Sequence, residues 1–417
     1  MTAVTTMTCQ PPVTRVRPPQ LAALPELTAA LAARAAEHDR DGSFPAAGIS
    51  QVHDAGLLTA TVAEGYGGAG AGLATTVRIL RALGRGDPSV ALVTAMTLFT
   101  HAMQARARTW PKRIYQEVLD ESAARPVLIN ALRVEPDLGT PARGGLPATV
   151  ARWHSGTWLL SGRKIFSTGA AGLRWMVVWA RTDEDPARVG SFLVRADSPG
   201  ISIERTWDHL GLRASRSDDV IFTDTPVPPG ATAGLHDPAS PVPIDPGFLA
   251  WNSLGLAALY LGVAAAARDW LVGFLGERTP SALGRPLATL PRFETAVGEI
   301  ETALTGADDL VDGLALRVDA DDETVAGHPA IAKLIATRAA IAAVEQAVAL
   351  VGNNGLTKQN PLERHYRDVL CARVHTPQDD SILSAAGRAA LATDSSGTTH
   401  TTGNTTGNTT GNTTGAH

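Results

Sequence analysis

Hydrophobic positions recur at helical spacing in the first and last thirds of the chain. Steps of four and three residues connect an unbroken apolar series within 293–318, and a second series covers 331–351. Such steps place side chains on one face of an α-helix, so both segments predict long amphipathic helices of a bundle. Shorter helices are predicted in the first third, at 73–83 and from Val90 to about Arg108.

The middle of the chain, from about Pro126 to Gly230, has a different pattern. Short runs rich in β-branched and aromatic residues alternate there with Gly, Pro and Asp turns; the runs are 127–129, 148–153, 157–160, 175–180, 191–195, 201–204 and 220–222. No helical period intervenes, so the pattern predicts an antiparallel barrel or sandwich rather than βαβ units. Residues 158–169 predict a hairpin that turns at Ser161-Gly162 and ends in hydroxyl groups.

The order of these patterns predicts an α+β protein of three domains between two disordered tails. The predicted segments are a Pro/Thr-rich lead at 1–22, an N-terminal helical domain at 23–125, a β-domain at 126–240, a C-terminal helical bundle at 241–391 and a Thr/Gly/Asn low-complexity tail at 392–417. A chain of 417 residues is long for a single core, which agrees with several domains.

Composition restricts the possible partners. With 36 basic and 41 acidic residues the net charge is -5, which favours a small-molecule partner over nucleic acid or a membrane surface. Only Cys9 and Cys371 are present, so neither a disulfide framework nor a cysteine metal site is predicted. No apolar signal precedes the first helix, so a reducing cytoplasm is expected. The longest apolar run, 254–267, is short for a bilayer and predicts a buried core helix.

Several short motifs occur in an order typical of one family. They are Glu64-Gly65-Tyr66-Gly67-Gly68, Glu135-Pro136 with Gly139-Thr140, residues 160–169, Leu210-Gly211-Leu212-Arg213, Val227-Pro228, Glu277-Arg278, Gly352-Asn353-Asn354-Gly355 and Arg367-Asp368. Across 23–391 the chain therefore resembles the acyl-CoA dehydrogenase superfamily. The resemblance implies a helical N-terminal domain, a middle β-domain, a C-terminal four-helix bundle, and a homodimer or homotetramer.

The resemblance also implies a flavin site, with FAD as the expected cofactor and FMN as an alternative. The family's roles place the ring of Phe166 against the isoalloxazine and the hydroxyl of Thr168 at its N5 edge, which suits an aromatic face and a hydroxyl. The other residues that match cofactor contacts are Val134, Glu135, Gly139, Thr140, Arg278, Gly352, Asn353 and Gly355. Of these, Arg278 and the 352–355 loop match contacts made across a subunit interface.

The chain departs from the dehydrogenases at the catalytic base. Thr376 stands where the family's glutamate is expected after Arg-Asp, and a neutral hydroxyl is too weak a base to remove a carbon-bound proton. The alternative position on the first long helix of the bundle, around Trp251 and Asn252, contains no acid. Asp379 and Asp380 are the nearby acids that could act as a relocated base.

These departures resemble the flavin-dependent monooxygenase branch, which includes dibenzothiophene monooxygenase and hydroxylases of amine, aromatic and indole-type natural products. There, reduced flavin comes from a separate NAD(P)H-flavin reductase and reacts with O2. Members of this branch carry a histidine shortly after Arg-Asp, and His375 falls at the matching spacing. His375 is therefore the predicted hydrogen-bond donor or proton relay toward the activated oxygen, with Ser167 or Thr168 as further donors. Thr97, His101, Trp251, Asn252 and Thr376 are the candidate substrate-pocket residues.

The sequence therefore favours a monooxygenase that hydroxylates a non-CoA substrate of aromatic or heteroaromatic natural-product type. Two alternatives stay open. One is an acyl-CoA or acyl-carrier dehydrogenase with a relocated base. The other is a catalytically silent member that only binds flavin.

Overall fold

Five helices form the first part of the chain in the computed structural model, which describes residues 15–138, 145–240 and 245–394. Their bounds are α1 Leu24–Asp41, α2 Ala46–Asp54, α3 Leu73–Gly86, α4 Pro88–Ala107 and α5 Lys112–Ala124. The start of α4 follows from local chemistry, because the Asp87 carboxylate accepts from the backbone N–H of Ser89 at 2.8 Å and Pro88 occupies the first turn.

The predicted disordered lead is wrong for residues 15–22, which pack against α2 and the turn that follows it. Val16 is buried, and the backbone N–H of Gln20 donates to the carbonyl of Ala55 at 2.9 Å. Gly56 lies so close to the carbonyl of Pro18 that a Cβ there would be only 2.3 Å from it. Composition alone missed this contact, because a proline-rich segment without a period can still be held by packing. Residues 1–14 lie outside the described part of the chain.

Eight strands in the described part of the chain form one mixed sheet. Their bounds are β1 Leu128–Leu132, β2 Val150–His154, β3 Thr157–Lys164, β4 Leu173–Thr182, β5 Val189–Arg195, β6 Ile201–Glu204, β7 Asp219–Pro226 and β8 Thr232–His236. The order is β6-β7-β3-β2-β4-β5-β8, with β1 paired to β4. β1 and β2 both run parallel to β4, whereas the pattern of short runs and turns had predicted antiparallel pairing alone.

The predicted turn at Ser161-Gly162 is also wrong, because β3 continues through both residues. The hairpin is formed instead by β2 and β3, which turn at Ser155 and Gly156. Gly162 marks an irregularity in the pairing of β3 with β7. Its φ of 154° and a Cβ position only 2.5 Å from the Thr149 hydroxyl both require glycine. Glycine is therefore needed here for a strand distortion and not for a chain reversal.

Long helices form the last part of the chain. They are α6 Pro246–Glu277, α7 Pro291–Asp319 and α8 His328–Val351, followed by α9 Asn353–Leu356, α10 Leu362–Leu370 and α11 Asp379–Asp394. α6, α7, α8 and α10 pack together as the predicted bundle, and α3 of the N-terminal part packs along α6. The helix α11 extends to Asp394, past residue 392, where the disordered tail had been predicted to start. The residues after 394 are outside the described part of the chain.

The two most apolar helices, α6 and α8, are each long enough to cross a membrane by length and composition. The apolar window of α6 is 78% buried inside the protein, as expected for the central helix of a bundle, while that of α8 is 50% buried. The prediction of a buried core helix at 254–267 is therefore confirmed, since this segment forms the centre of α6.

Candidate active site

An exposed aromatic group follows the end of β3. Phe166 has a φ of 54°, which is uncommon for a residue with a side chain, and it is 52% exposed. Its ring makes edge contacts with Trp207 and His209, at centroid distances of 6.3 and 5.9 Å. Trp207 and His209 stack on each other at 3.6 Å. A strained backbone that presents an open aromatic face is typical of a ligand-contacting position.

The hydroxyl of Thr168 is oriented by a chain of buried hydroxyl groups. Ser217 Oγ donates to Thr168 Oγ1 at 3.1 Å, and Ser215 Oγ lies 2.9 Å from Ser217 Oγ. Asn130 Nδ2 holds the Thr168 carbonyl at 3.0 Å. Because its oxygen already accepts from Ser217, the Thr168 hydroxyl has its own proton available for a ligand.

Ser167 has a different environment from its neighbour. Its side chain is buried, and Oγ has no hydrogen-bond partner among the described residues. Backbone bonds fix the turn around it, from Ser167 N to the carbonyl of Asp218 at 3.2 Å and from Ala170 N to the Ser167 carbonyl at 2.9 Å. Of the two predicted hydroxyl donors, Thr168 is therefore the one that the structure leaves partly open.

Glu135, predicted from the resemblance to line the cofactor, is enclosed in the β-domain. Its carboxylate accepts from Lys164 Nζ at 2.6 Å, from Thr149 Oγ1 at 2.6 Å, and from the backbone N–H groups of Ala148 and Thr149. Burial opposes ionisation, but these donors outweigh it and lower the pKa of Glu135. The carboxylate thus anchors the segment before the loop. Val134 precedes it and is half-buried, and its carbonyl accepts from Ile165 N at 3.0 Å; Gly139 and Thr140 lie outside the described residues.

His375 lies in the turn between α10 and α11, half-buried against α6. Its Nδ1 is 2.7 Å from the hydroxyl of Tyr260. Burial, and secondarily the positive charge of Lys333, lower the pKa of His375 to about 4, so the imidazole is neutral at pH 7. Burial raises the pKa of Tyr260 well above its usual value, so the phenol keeps its proton. When that phenol donates to Nδ1, the imidazole proton resides on Nε2 and can be donated outward.

The neighbours of His375 hold the turn from two helices. Asn252 Nδ2, on α6, donates to the carbonyl of Thr376, while Trp251 is buried beside it in the chain. Lys333 Nζ, on α8, donates to the carbonyls of His375 and Pro377, both at 2.7 Å. The Thr376 side chain is exposed. Its hydroxyl is too weak a base to replace the glutamate of the dehydrogenases. The helices α6 and α8 contact this turn through its backbone carbonyls.

A short loop connects the aromatic groups of the β-domain to the helix that precedes His375. Asp368 of α10 accepts from the backbone N–H of Leu212 at 2.7 Å, and Arg367 donates to the carbonyl of Leu210 at 2.9 Å. Gly211 lies between them, where a Cβ would be 2.3 Å from the Arg367 carbonyl. The segment that carries Trp207 and His209 is thereby fixed to α10, seven residues before His375.

Two candidate pocket residues, Thr97 and His101, lie in the helical core. The Thr97 hydroxyl accepts from Ile129 N at 3.0 Å and so joins α4 to β1. His101 Nδ1 is 3.0 Å from the Tyr115 hydroxyl, and burial lowers the pKa of His101 to about 4. Both side chains are fully buried. The structure does not bring them to an open surface with His375.

The residues predicted at a subunit interface lie at helix ends. Arg278 follows α6 and is exposed, and its side chain makes no hydrogen bond or ion pair with another described residue. Gly352 and Asn353, between α8 and α9, are exposed, whereas Gly355 is buried against Val348. Gly352 has a φ of 55°, which favours glycine. Within one protomer these residues form no enclosed site.

One cavity in the described residues lies away from these groups. It measures about 920 Å³ and is bounded by α1, α3, α6 and α10. Most of its arginines are neutralised within the protein, since Arg81 pairs with Asp308, Arg85 with Asp269, and Arg268 with Glu301. No group of three or more metal-ligating side chains occurs in 15–138, 145–240 and 245–394.

Sequence reasoning missed five side chains that shape the site: Asn130, Trp207, His209, Ser217 and Tyr260. Trp207 and His209 directly precede the Leu210-Gly211-Leu212-Arg213 motif, and an aromatic pair beside a motif could have been noticed. The others gave no signal, because a serine between charged residues or a tyrosine within an apolar helix is indistinguishable by pattern from surface or core.

Family models match the chain in three successive parts. The N-terminal domain of acyl-CoA dehydrogenase matches residues 26–113, its middle domain matches 133–225, and its C-terminal domain matches 254–379. The chain belongs to the acyl-CoA dehydrogenase family, and its fold is the predicted one of two helical parts around a β-domain.

Similar proteins include both dehydrogenases and enzymes with other names. The chain is 33% identical over 352 residues to the putative acyl-CoA dehydrogenase YdbM of Bacillus subtilis (strain 168), covering 84% of this chain and 90% of that one. It is 31% identical over 363 residues to L-evernosamine nitrososynthase of Micromonospora sp., covering 81% and 82%. The structure of KijD3 in complex with FMN and an amino-keto sugar nucleotide matches with a TM-score of 0.76 at 28% identity, covering 89% and 93%.

The site fits a flavin ring. Phe166 offers an open aromatic face on a strained backbone, and the Thr168 hydroxyl, whose oxygen accepts from Ser217, can donate its proton to a ligand. These are the two groups that a flat, hydrogen-bonding heterocycle needs. Family membership and an FMN-containing relative support flavin binding, and the chemistry of the residues agrees with it.

Proposed function

We propose that this protein is a two-component flavin-dependent monooxygenase that uses reduced FAD or FMN and O2 to hydroxylate a small, non-CoA substrate of aromatic or heteroaromatic type. The observation that carries the proposal is the Tyr260–His375 pair. A neutral imidazole, which carries its proton on Nε2 when Tyr260 donates to Nδ1, stands in the segment where a dehydrogenase would have its carboxylate.

The acids nearest to this turn argue against a relocated base. Asp379 Oδ2 accepts from Arg338 Nε at 3.0 Å, so the carboxylate is already ion-paired. Asp380 accepts from the backbone N–H of Ser381 at 2.8 Å, at the start of α11. Abstraction of a carbon-bound proton requires a carboxylate free to approach the substrate. Both carboxylates already accept from donors of the protein, which favours the imidazole over a relocated base.

The proposed roles divide between the two sides of the site. Phe166, with Trp207 and His209, would pack the ring of the flavin, and the Thr168 hydroxyl would hold its polar edge. When bound and reduced, flavin supplies the electrons that activate O2. His375 would donate from Nε2 to oxygen in the site, and Tyr260 holds the imidazole in that tautomer.

The remaining partners belong to the same proposal. Reduced flavin would come from a separate NAD(P)H-dependent reductase in a reducing cytoplasm. The exposed Arg278 and the 352–355 loop would complete the cofactor site of a neighbouring copy in a homodimer or homotetramer. The nitrososynthase and KijD3 relatives support a small natural-product substrate. Trp251, Asn252 and Thr376 would contribute to its pocket.

A dehydrogenase is the second candidate, because similarity to YdbM favours it. The discriminating experiment is anaerobic addition of acyl-CoA thioesters to protein loaded with oxidised FAD. We expect no bleaching of the flavin absorbance. Bleaching would overturn the monooxygenase proposal.

The positive test is an oxygen-dependent turnover assay with a flavin reductase, NADH and a panel of aromatic and amine substrates. Wild-type protein should incorporate oxygen into at least one substrate class, and His375→Ala should release the oxygen as peroxide instead. Asp380→Asn is the matched control, since it removes an exposed acid of α11 and leaves the imidazole in place. Recovery of all the NADH electrons as peroxide, with no oxygen incorporated into any substrate of the panel, would favour a catalytically silent member.

A further inference from the structure

A fully buried lysine, Lys333, donates hydrogen bonds to the backbone of the turn that carries His375. Lys333 is 0% exposed, and its Nζ donates to the carbonyls of His375 and Pro377 at 2.7 Å and more weakly to that of Ala372 at 3.5 Å. No carboxylate forms an ion pair with it among the described residues. Burying an ammonium group without a counter-ion is costly, and the three carbonyl dipoles are its compensation.

The arrangement fixes three points of the connection between α10 and α11. Ala372 lies in the short 3-10 helix 371–373, and His375 and Pro377 lie between that helix and α11. Asn252 holds the intervening Thr376 carbonyl from α6. The backbone of His375 is thus attached to α8, while its side chain is attached to α6 through Tyr260. A change at Lys333 would therefore move the imidazole relative to Tyr260.

We propose that Lys333 is the positioning residue of the site: through the carbonyls of His375 and Pro377 it sets where the His375 imidazole stands. The proposal rests on the proposed function, in which His375 is the donor. Lys333 itself is enclosed and touches neither substrate nor flavin. Its charge has a second effect that supports this geometry, since it opposes protonation of the imidazole and helps to keep His375 neutral.

The test compares Lys333→Met with Arg338→Met in the full chain. Arg338 is the matched control, because it also places a cation of α8 against this segment, through Asp379, but it is exposed. In protein with ¹⁵N-labelled histidine, the His375 signal is assigned by its loss in His375→Ala. Lys333→Met should raise the pKa of His375 by about one unit and mix its tautomers, because both the charge and the fixed turn are lost. Arg338→Met should leave the signal unchanged.

Turnover provides the second readout. Displacing a catalytic group by about 1 Å can cost up to about a hundredfold in rate, so we expect Lys333→Met to increase peroxide released per NADH by about tenfold. An unchanged His375 signal in folded Lys333→Met would overturn the proposal. Should this variant not fold, Lys333→Gln is measured instead. Its amide is one atom shorter and uncharged, so a wild-type His375 signal in it would overturn the proposal equally.

The two proposals can fail separately. If wild-type protein shows no oxygen-dependent turnover but Lys333→Met changes the His375 signal, the positioning role holds and the monooxygenase assignment fails. If oxygen-dependent turnover is found and the His375 signal is the same in wild type and Lys333→Met, the monooxygenase assignment holds and Lys333 has no positioning role.

Discussion

Removal of the Glu135 carboxylate should destabilise the protein more than any change on the surface of the β-domain. Glu135 and Lys164 are 2% and 0% exposed, and their charged atoms are 2.6 Å apart. In Glu135→Met the lysine loses the one side-chain partner that it has among the described residues and stays buried as an unpaired cation. Breaking a buried pair in this way costs about 3–5 kcal/mol of the free energy of unfolding.

The structure also predicts an asymmetry within the pair. In Lys164→Met the carboxylate keeps three donors, the backbone N–H groups of Ala148 and Thr149 and the Thr149 hydroxyl. We therefore expect the free energy of unfolding of this variant to fall by about 2–3 kcal/mol, which is close to the cost of losing one charge-assisted hydrogen bond. The double variant should be clearly more stable than the sum of both losses, because no buried charge remains.

Urea unfolding followed by far-UV circular dichroism measures these differences. The control is Glu184→Ala, which removes an exposed ion pair with Arg188 in the turn between β4 and β5 and should cost under about 0.5 kcal/mol. If Glu135→Met lies within 1 kcal/mol of wild type, or if the double variant shows additive losses, the anchoring role of this carboxylate is refuted.

Two further predictions concern the buried hydrogen bonds of histidines. The difference between the His101 pKa of about 4 in the folded chain and about 6.5 in the unfolded chain corresponds to roughly 3 kcal/mol. This stability is present above pH 6.5 and is lost as the pH falls toward 4, so the urea midpoint of wild type should fall more between pH 7 and 5 than that of His101→Gln; equal falls would contradict the assignment. Tyr260→Phe removes the partner of His375 Nδ1, so peroxide released per NADH should rise severalfold while the free energy of unfolding falls by only about 1 kcal/mol. An unchanged amount of peroxide released per NADH in folded Tyr260→Phe would argue against the proposed tautomer.

Helices were predictable because their evidence is periodic. The apolar series of 293–318 and 331–351 correspond to α7 and α8, and the motifs identified the family that the domain models also match. The geometry of the strands is harder to predict from sequence. The pattern predicts a turn at Gly162, because composition does not distinguish a glycine needed for a chain reversal from one needed because Thr149 lies too close for a side chain.

The site was predictable only where a motif carried it. Phe166, Thr168 and His375 came from motif positions, and the structure gives each an environment that suits its proposed role. Thr97 and His101 were predicted from helical spacing and from a second histidine position of the monooxygenase branch, and neither tells a pocket face from a core face. Tyr260 and Lys333 act through contacts with residues far away in the chain, 115 and 42 positions from His375, and no local pattern encodes such partners.

The attachment of the 207–212 loop to α10 has a consequence for laboratory evolution. Trp207 and His209 share one short segment with Leu212, and Asp368 holds that segment next to the chain that leads to His375. Substitutions in this loop would disturb both halves of the site at once, so libraries aimed at new substrates should leave it intact.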